Sequence, residues 1–430
     1  MRFCFTACKE VYLIMAENKV LVVGGGFSGL TVAVEAAEAG SDVIIVEKNA
    51  YLGGRVTQLN KYFWKMCPPN CGLEIQYKRI KNNGQVKIYT LAEVEKISGS
   101  EGNFDVTIKL QPRFVNEKCT GCNKCTEACE IERPNDFDFG MSKTKAAYLP
   151  HNQAFPLQYV IDGSVCKGAA CNKCAEACKY DAIHLDMKPE TVQVKVGAVV
   201  MATGWNPYDA TRMDNLGFGK VQNVVTNMMM ERLAAPNGPT AGKIVRPSDG
   251  KEAKNVAFVQ CAGSRDENHL AHCSYICCLA SIKQATYVRE LYPDSKAKIF
   301  YIDMRTPGLF ESRFYTKIKE DPNVVFLKGK VAKIEQGANG DVLVTAEDIH
   351  GGGKVTETFD MVVLATGMQP TAASLKAAGV AVTDDGFVDQ AALPKGIYAT
   401  GTLKTPVDVA RSAQDATGVV MKSIQSLRRK

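Results

Sequence analysis

Residues 19–30 read KVLVVGGGFSGL, and this stretch decides the fold. KVLVVG, 19–24, has the unbroken apolar texture of a parallel strand buried on both faces, and the small residues from Ser28 to Ala39 follow as a helix. SDVIIVEK, 41–48, is a second such strand. Strand, helix and strand close a βαβ unit of about 30 residues, the size of a mononucleotide-binding half. Gly24, Gly26 and Gly29 space a GxGxxG across the turn between strand and helix. The first glycine permits the tight turn, the second admits a pyrophosphate against the backbone, and the third lets helix and strand touch. Free N–H groups and the dipole at the helix start then favour the phosphates. Glu47 lies 23 residues after Gly24, at the end of the second strand, where a carboxylate accepts hydrogen bonds from a ribose diol.

A second unit lies downstream: NVAFVQCAG (255–263), a helix from Cys277 to Leu291, then KIFYIDMR (298–305). Strand-like VGAVVMATG (196–204), MVVLATG (361–367) and GIYATG (396–401) complete the α/β pattern before a last helix that ends near Ser426. Between Arg113 and Lys188 the periodicity fades and cysteines appear, which marks a compact insert. The expected architecture is α/β, with two dinucleotide-binding domains and an inserted cluster module. Residues 1–15 are expected to be a non-native or disordered extension, with Met15 the native start and Cys4 and Cys8 without a role. Residues 16–112 open the first nucleotide domain, 113–190 form the insert and 191–250 continue the first domain; 251–360 form the second Rossmann-like domain and 361–430 return to the first.

At 430 residues and 46% hydrophobic content the chain can bury several cores. Lys+Arg 52 against Asp+Glu 46 leaves a net charge of +6 without a long basic run, so a nucleic-acid surface is not indicated. No apolar run approaches the roughly 20 residues that span a bilayer. Cysteine is the outlier, at 16, and 12 of them fall in three tight groups. Grouped thiols in a large chain point to metal or cluster ligation in a reducing compartment rather than to dispersed disulfides.

Cys119, Cys122, Cys125 and Cys129 make CxxCxxCxxxC, and Cys166, Cys171, Cys174 and Cys178 make CxxxxCxxCxxxC. Three close thiolates grip one face of a cubane while the fourth reaches its neighbour, as in bacterial two-cluster ferredoxins. That logic pairs Cys178 with the first three and Cys129 with the second three. Glu130 and Lys179 stand where a proline usually follows the fourth cysteine, although AEACKYDAI (175–183) keeps the ferredoxin-like texture. Structural zinc is the competing reading, but zinc sites pair CxxC with a distant CxxC.

Cys261, Cys273, Cys277 and Cys278 lie where the second βαβ unit would carry its glycine loop. A nicotinamide dinucleotide loses its pyrophosphate cradle there, and four thiols suit a third [4Fe-4S] cluster; an unliganded or thiol-redox loop is the alternative. Cys67 and Cys71, in KMCPPNCGLEI, are a candidate redox pair, too few alone to hold a cubane. His269 and His272, beside the third motif, are candidate hydrogen-bond donors to its ligands, and Met228 to Met230 read as core or interface.

The acid of the first unit is soon followed by a second glycine turn, LGGR (52–55), which resembles the flavin-binding, thioredoxin-reductase-like disulfide reductases and implies FAD. On that resemblance the contacts extend from Gly24, Gly26, Phe27, Ser28, Gly29, Glu47 and Lys48 to Gly53, Gly54 and Arg55, then to Ala202, Thr203, Gly204, Gly367, Gly401 and Thr402. Thr402 replaces the family's usual aspartate. With CAGSRDEN (261–268), CSYICC (273–278), GGGFSGL (24–30) and EKNAYLGGR (47–55), the chain resembles the flavin-bearing A-subunit family of heterodisulfide reductases. Residues 51–83, 146–160 and 237–258 are most similar to the branch found in quinone-interacting membrane-bound oxidoreductase complexes of sulfate reducers.

That resemblance implies a cytoplasmic protein, peripheral on the inner membrane face. Its partners would be a second subunit with flavin and clusters, together with a haem-bearing membrane subunit, and it would link menaquinol to adenylylsulfate reductase. It also brings in flavin-based bifurcation or confurcation as a family trait. Two rivals stay open: an NAD(P)H-dependent disulfide reductase using Cys67 and Cys71, and an electron wire with a structural flavin.

Overall fold

The computed structural model describes residues 18–63, 65–307, 314–372, 375 and 379–428. The expected extension at 1–15, with Cys4 and Cys8, lies outside them. The first unit opens with β1 (Lys19–Val23), α1 (Phe27–Glu38), β2 (Asp42–Glu47), α2 (Asn70–Lys81), β3 (Val86–Thr90), β4 (Ala92–Ser100) and β5 (Asn103–Leu110). The insert carries α3 (Lys124–Ala128), β6 (Glu132–Pro134), β7 (Lys143–Lys145), β8 (Ala147–Tyr148), β9 (Val160–Ile161) and α4 (Lys173–Glu176). The first unit resumes with β10 (Glu190–Val196), β11 (Ala198–Met201) and β12 (Trp205–Pro207). The second unit contains β13 (Val224–Thr226), α5 (Asn227–Ala234), β14 (Asn255–Ala262), α6 (Cys277–Leu291), β15 (Lys296–Tyr301), α7 (Thr316–Lys319), β16 (Val324–Lys328), β17 (Val331–Gln336), β18 (Val342–Asp348), β19 (Gly353–Phe359) and β20 (Met361–Thr366). β21 (Met368–Pro370), β22 (Ile397–Ala399) and α8 (Val409–Arg428) end the described chain.

Both units follow one plan. The first sheet is ordered β22-β11-β1-β2-β3 and the second β13-β20-β14-β15-β16, and each is accompanied by an antiparallel meander, β10-β5-β4 or β17-β18-β19. β1 is buried on both faces because it runs mid-sheet, with α1, α2 and α8 on one side and the meander on the other. Each Val or Leu so buried contributes about 1.5–3 kcal/mol. α1 stops in a Schellman turn, where Ser41 N donates to Ala36 O and Gly40 N to Ala37 O, with Gly40 at φ 92°.

Two boundaries differ from the sequence reading. Met361–Thr366, expected in the returning part of the first domain, pairs with β14 in the second sheet, and so does Val224–Thr226 through β20. The reason is that MVVLATG and VGAVVMATG are equally apolar, so composition does not say which sheet each enters. The antiparallel pair β12 and β21 joins the units where the chain passes between them.

The insert leaves the first meander between β5 and β10 and has a small core of its own around Val115, Tyr159, Ile161 and Ile183. It is fastened to the first unit by Arg113, whose guanidinium donates to Ala50 O and, at 2.8 Å, to Thr90 Oγ1. Leu52 N donates to Phe155 O at 2.8 Å, and Gln58 Nε2 to Phe137 O at 3.1 Å.

Candidate functional site

The turn between β1 and α1 leaves no room for a side chain at Gly24 or Gly29. A Cβ on Gly24 (φ 104°) would stand 2.4 Å from Ala202 O, and one on Gly29 1.9 Å from Gly24 O. α1 begins at Gly26 with no side-chain cap, so its first N–H groups are free for an anion. Glu47 is buried, with one carboxylate oxygen accepting from Gly25 N at 2.7 Å and the other from Asn49 N and Nδ2 at 2.8 Å. Burial pushes its carboxyl above the ordinary range, against those hydrogen bonds.

These groups open into a cavity of about 1230 Å³. Of the sequence candidates, Gly24, Gly26, Phe27, Ser28, Glu47, Lys48, Gly54, Arg55, Ala202, Thr203, Gly204 and Thr402 line it; Gly29, Gly53, Gly367 and Gly401 do not. Gly401 packs behind Ser28 and donates its N–H to Asp415 of α8 at 2.8 Å, while Gly367 packs on Ser264 and Ser274 of the second unit. The uncapped turn and the buried acid suit a dinucleotide, and the cavity exceeds the roughly 300–1,000 Å³ of most ligand pockets.

Several wall residues carry no signal in the sequence. The insert contributes Arg133, Asn135, Phe137 and Tyr148. Behind them His151 stacks on Phe137 at 4.7 Å and meets Tyr51 edge-on at 4.9 Å, and burial holds its imidazole down at about 4. The second unit contributes Glu231 and Lys283, paired at 3.0 Å with both side chains 2% exposed. Lys283 Nζ donates to Lys61 O at 2.7 Å, and Glu231 accepts from Asn60 N at 2.9 Å. The next residue, Arg232, forms a buried pair with Asp138 of the insert at 2.8 Å. The start of α8 also reaches the wall, where Asp408 caps it by accepting from Arg411 N at 2.8 Å. An Asp just ahead of the helix is the one signal the sequence offered for this contact.

None of the 14 described cysteines forms a disulfide. Cys119, Cys122, Cys125 and Cys178 line one small void in the insert. Cys174 faces Cys166 and Cys129, so the two motifs cross over. Cys125 on α3 and Cys174 on α4 are buried, and burial raises both thiols, Cys125 to about 12. Backbone N–H groups already point at sulfur: Gly168 N at Cys166 at 3.4 Å and Ala182 N at Cys178 at 3.5 Å. Such donors suit thiolate ligands of a cluster. Among the described residues no three of His, Cys, Asp or Glu converge as a single ion would require; a cubane holds its thiolates around several atoms.

In the second unit the strand-to-helix connection is rebuilt. β14 loses register with β20 between Val259 and Ala262, and Cys261 within that irregularity has φ 55°. Such bulges re-aim a side chain beside a site. Cys277 and Cys278 open α6, and Cys277 faces Cys261, Cys273 and Cys278. Burial raises Cys261, Cys277 and, to about 11, Cys278, so loading a metal there must release protons. Tyr275 N points at Cys273 Sγ at 3.4 Å, and Ile276 lies on the wall of the large cavity. His269 pairs with Tyr208 OH at 2.8 Å and His272 with Met368 O at 3.0 Å. Cys67 lines the cavity while Cys71 is exposed at the start of α2. Met228 and Met230 are buried.

Residues 19–74 match the family of FAD dependent oxidoreductases. The A subunit of the H(2):CoB-CoM heterodisulfide,ferredoxin reductase of Methanothermobacter thermautotrophicus is 36% identical over 96% of this chain and 64% of its own length. An iron-sulfur A subunit of the CoB–CoM heterodisulfide reductase of Methanopyrus kandleri is 37% identical over 97% of this chain and 66% of its own length. The chain therefore spans just under two thirds of these relatives. In fold it is similar to Lactococcus lactis thioredoxin reductase, with a TM-score of 0.51 at 11% identity over 95% of this chain and 98% of that one. No helix among the described residues is long and apolar enough to cross a membrane. With two dinucleotide units, a glycine turn of FAD type and relatives that align over nearly all of its length, the chain belongs to the A-subunit family of heterodisulfide reductases, among the FAD-dependent oxidoreductases.

Proposed function

We propose that this chain is the FAD- and iron-sulfur-bearing electron-transfer subunit of a heterodisulfide-reductase-like complex. In that role it links the menaquinone pool to adenylylsulfate reductase in dissimilatory sulfate reduction. The observation that carries the reading is Ile276: it lies on the wall of the cavity opened by the glycine turn and stands between Cys273 and Cys277. A flavin, when bound, exchanges electrons singly or in pairs, and each cluster carries one.

The chain's own residues bind and orient. N–H groups at the start of α1 hold the pyrophosphate, Glu47 holds the ribose, and Phe137 and Tyr148 of the insert exclude water. Cys119, Cys122, Cys125 and Cys178 hold one [4Fe-4S] cluster of a ferredoxin-like insert, and Cys166, Cys171, Cys174 and Cys129 hold the other. Cys261, Cys273, Cys277 and Cys278 hold the third. The partners are a second subunit with flavin and clusters, together with a haem-bearing membrane subunit, and they keep the chain on the cytoplasmic face. Flavin-based bifurcation or confurcation belongs to this proposal by likeness of sequence alone.

The test is flavin and iron quantitation with EPR on the anaerobically purified chain. One FAD and about twelve iron atoms, from three four-iron clusters, support the scheme; FAD without iron removes it. A second reading draws on Cys67 at the cavity wall: an NAD(P)H-dependent disulfide reductase whose dithiol is Cys67 and Cys71. Rapid bleaching of the flavin by NADH alone would favour that reading.

A further inference from the structure

We propose that Arg265 and Arg305 form a cationic collar on Cys261 and Cys278, and that it raises the potential at which the centre held by Cys261, Cys273, Cys277 and Cys278 is reduced. This inference rests on reading those four thiols as cluster ligands. Arg265 follows Cys261 by four residues at φ 56°, and its N–H donates to His272 O at 3.1 Å, which fixes the loop across the motif. Its guanidinium pairs with Asp303 at 2.8 Å and lies in hydrogen-bonding reach of Cys261 sulfur. Asp303 O in turn accepts from Cys278 Sγ at 3.6 Å. Arg305, two residues on, directs its backbone N–H at the Cys278 sulfur, and its charge faces both Cys278 and Cys261. Two guanidiniums against one carboxylate leave the collar a net positive charge beside partly or fully buried thiols.

The insert is arranged differently. Its thiols face one another; Arg113 lies beside Cys119 with its guanidinium taken up by the Ala50, Gln158 and Tyr159 carbonyls and Thr90 Oγ1, and Lys124 and Lys173, beside Cys122 and Cys171, have side chains 59% and 48% exposed. Each is matched by a carboxylate, Glu127 at 2.7 Å and Glu130. Reduction adds one negative charge to a cluster, so a nearby cation and N–H donors to sulfur stabilise the reduced form.

The experiment is an EPR-monitored redox titration of the full chain reconstituted anaerobically with FAD, iron and sulfide. The signal lost in Cys277→Ser identifies the centre. The midpoint of that signal in the wild type is the reference. Its midpoint falls in Arg265→Gln and in Arg305→Gln and partly returns in Arg265→Lys, while the insert signals stay in place. Flavin and iron contents equal to wild type in the exposed Arg305→Gln variant separate tuning from misfolding. A midpoint that stays or rises in both glutamine variants, or a shift shared by every centre, overturns the collar. If Cys277→Ser removes no signal and no iron, the cluster reading falls first and the collar with it.

Discussion

The two dinucleotide units share strand order and meander, yet the connection from the central strand β1 to α1 is 24–26 and that from the central strand β14 to α6 is 263–276. Three residues, all glycine, keep the backbone close enough to cradle phosphate. Fourteen residues, with a bulged Cys261 before them and two cysteines opening the helix after them, cannot make that cradle and gather thiols in its place. One scaffold thus presents two chemistries, and what separates them is the length and residue type of a single turn.

The sharpest way to break this contrast is at the thiols. Cys277→Ser with Cys278→Ser should remove the iron of that centre, about a third of the total for three four-iron clusters, and leave flavin content unchanged. Iron and flavin assays decide it, and loss of both together would mean that the two turns are not separable. Next in size is Lys283→Met on α6, which leaves Glu231 buried and unpaired at a cost of about 3–5 kcal/mol. Chemical denaturation should show this, and a change below about 1 kcal/mol would mean that water reaches the pair.

Gly29→Ala acts on the other turn. A Cβ 1.9 Å from Gly24 O must push the helix off the strand; overpacking of this kind costs about 1–3 kcal/mol. Flavin affinity should then drop about ten- to hundred-fold, with the iron unaffected; fluorescence titration of the released flavin measures it, and wild-type affinity would refute the cradle. The smallest effect belongs to His151. Its imidazole is held near 4 against an ordinary 6.5, so the folded state disfavours the charged form. The stability tied to the neutral ring is complete above 6.5 and is lost as pH falls toward 4. His151→Phe should flatten the melting temperature across that window, and an unchanged slope would locate the acid sensitivity elsewhere.

Much of this contrast was legible in the sequence. KVLVV and DVIIVE announce buried parallel strands by composition, and GGGFSG announces the turn because Gly24 and Gly29 stand too close to neighbouring backbone for any Cβ. α6 begins at Cys277 and ends at Leu291, as the residue pattern indicates. What stayed hidden depends on packing between distant segments. VVT at 224–226 is too short to register as a strand until β20 lies beside it. The bulge at Cys261 is a matter of pairing register, and the docking of Phe137 and Tyr148 onto the cavity follows from anchors such as Arg113 that no local pattern encodes.

Glu231 and Arg232 are neighbours on α5, yet one is tied to Asn60 of the glycine unit and the other to Asp138 of the insert. They act as two rivets through a single plate. A swing of the second unit would break both, parting the buried Arg232–Asp138 ion pair and leaving Asn60 N without its acceptor, so the spacing between the glycine turn and the thiol turn is a constant of the molecule. A carrier that works by tunnelling over a set gap needs that constancy more than it needs motion.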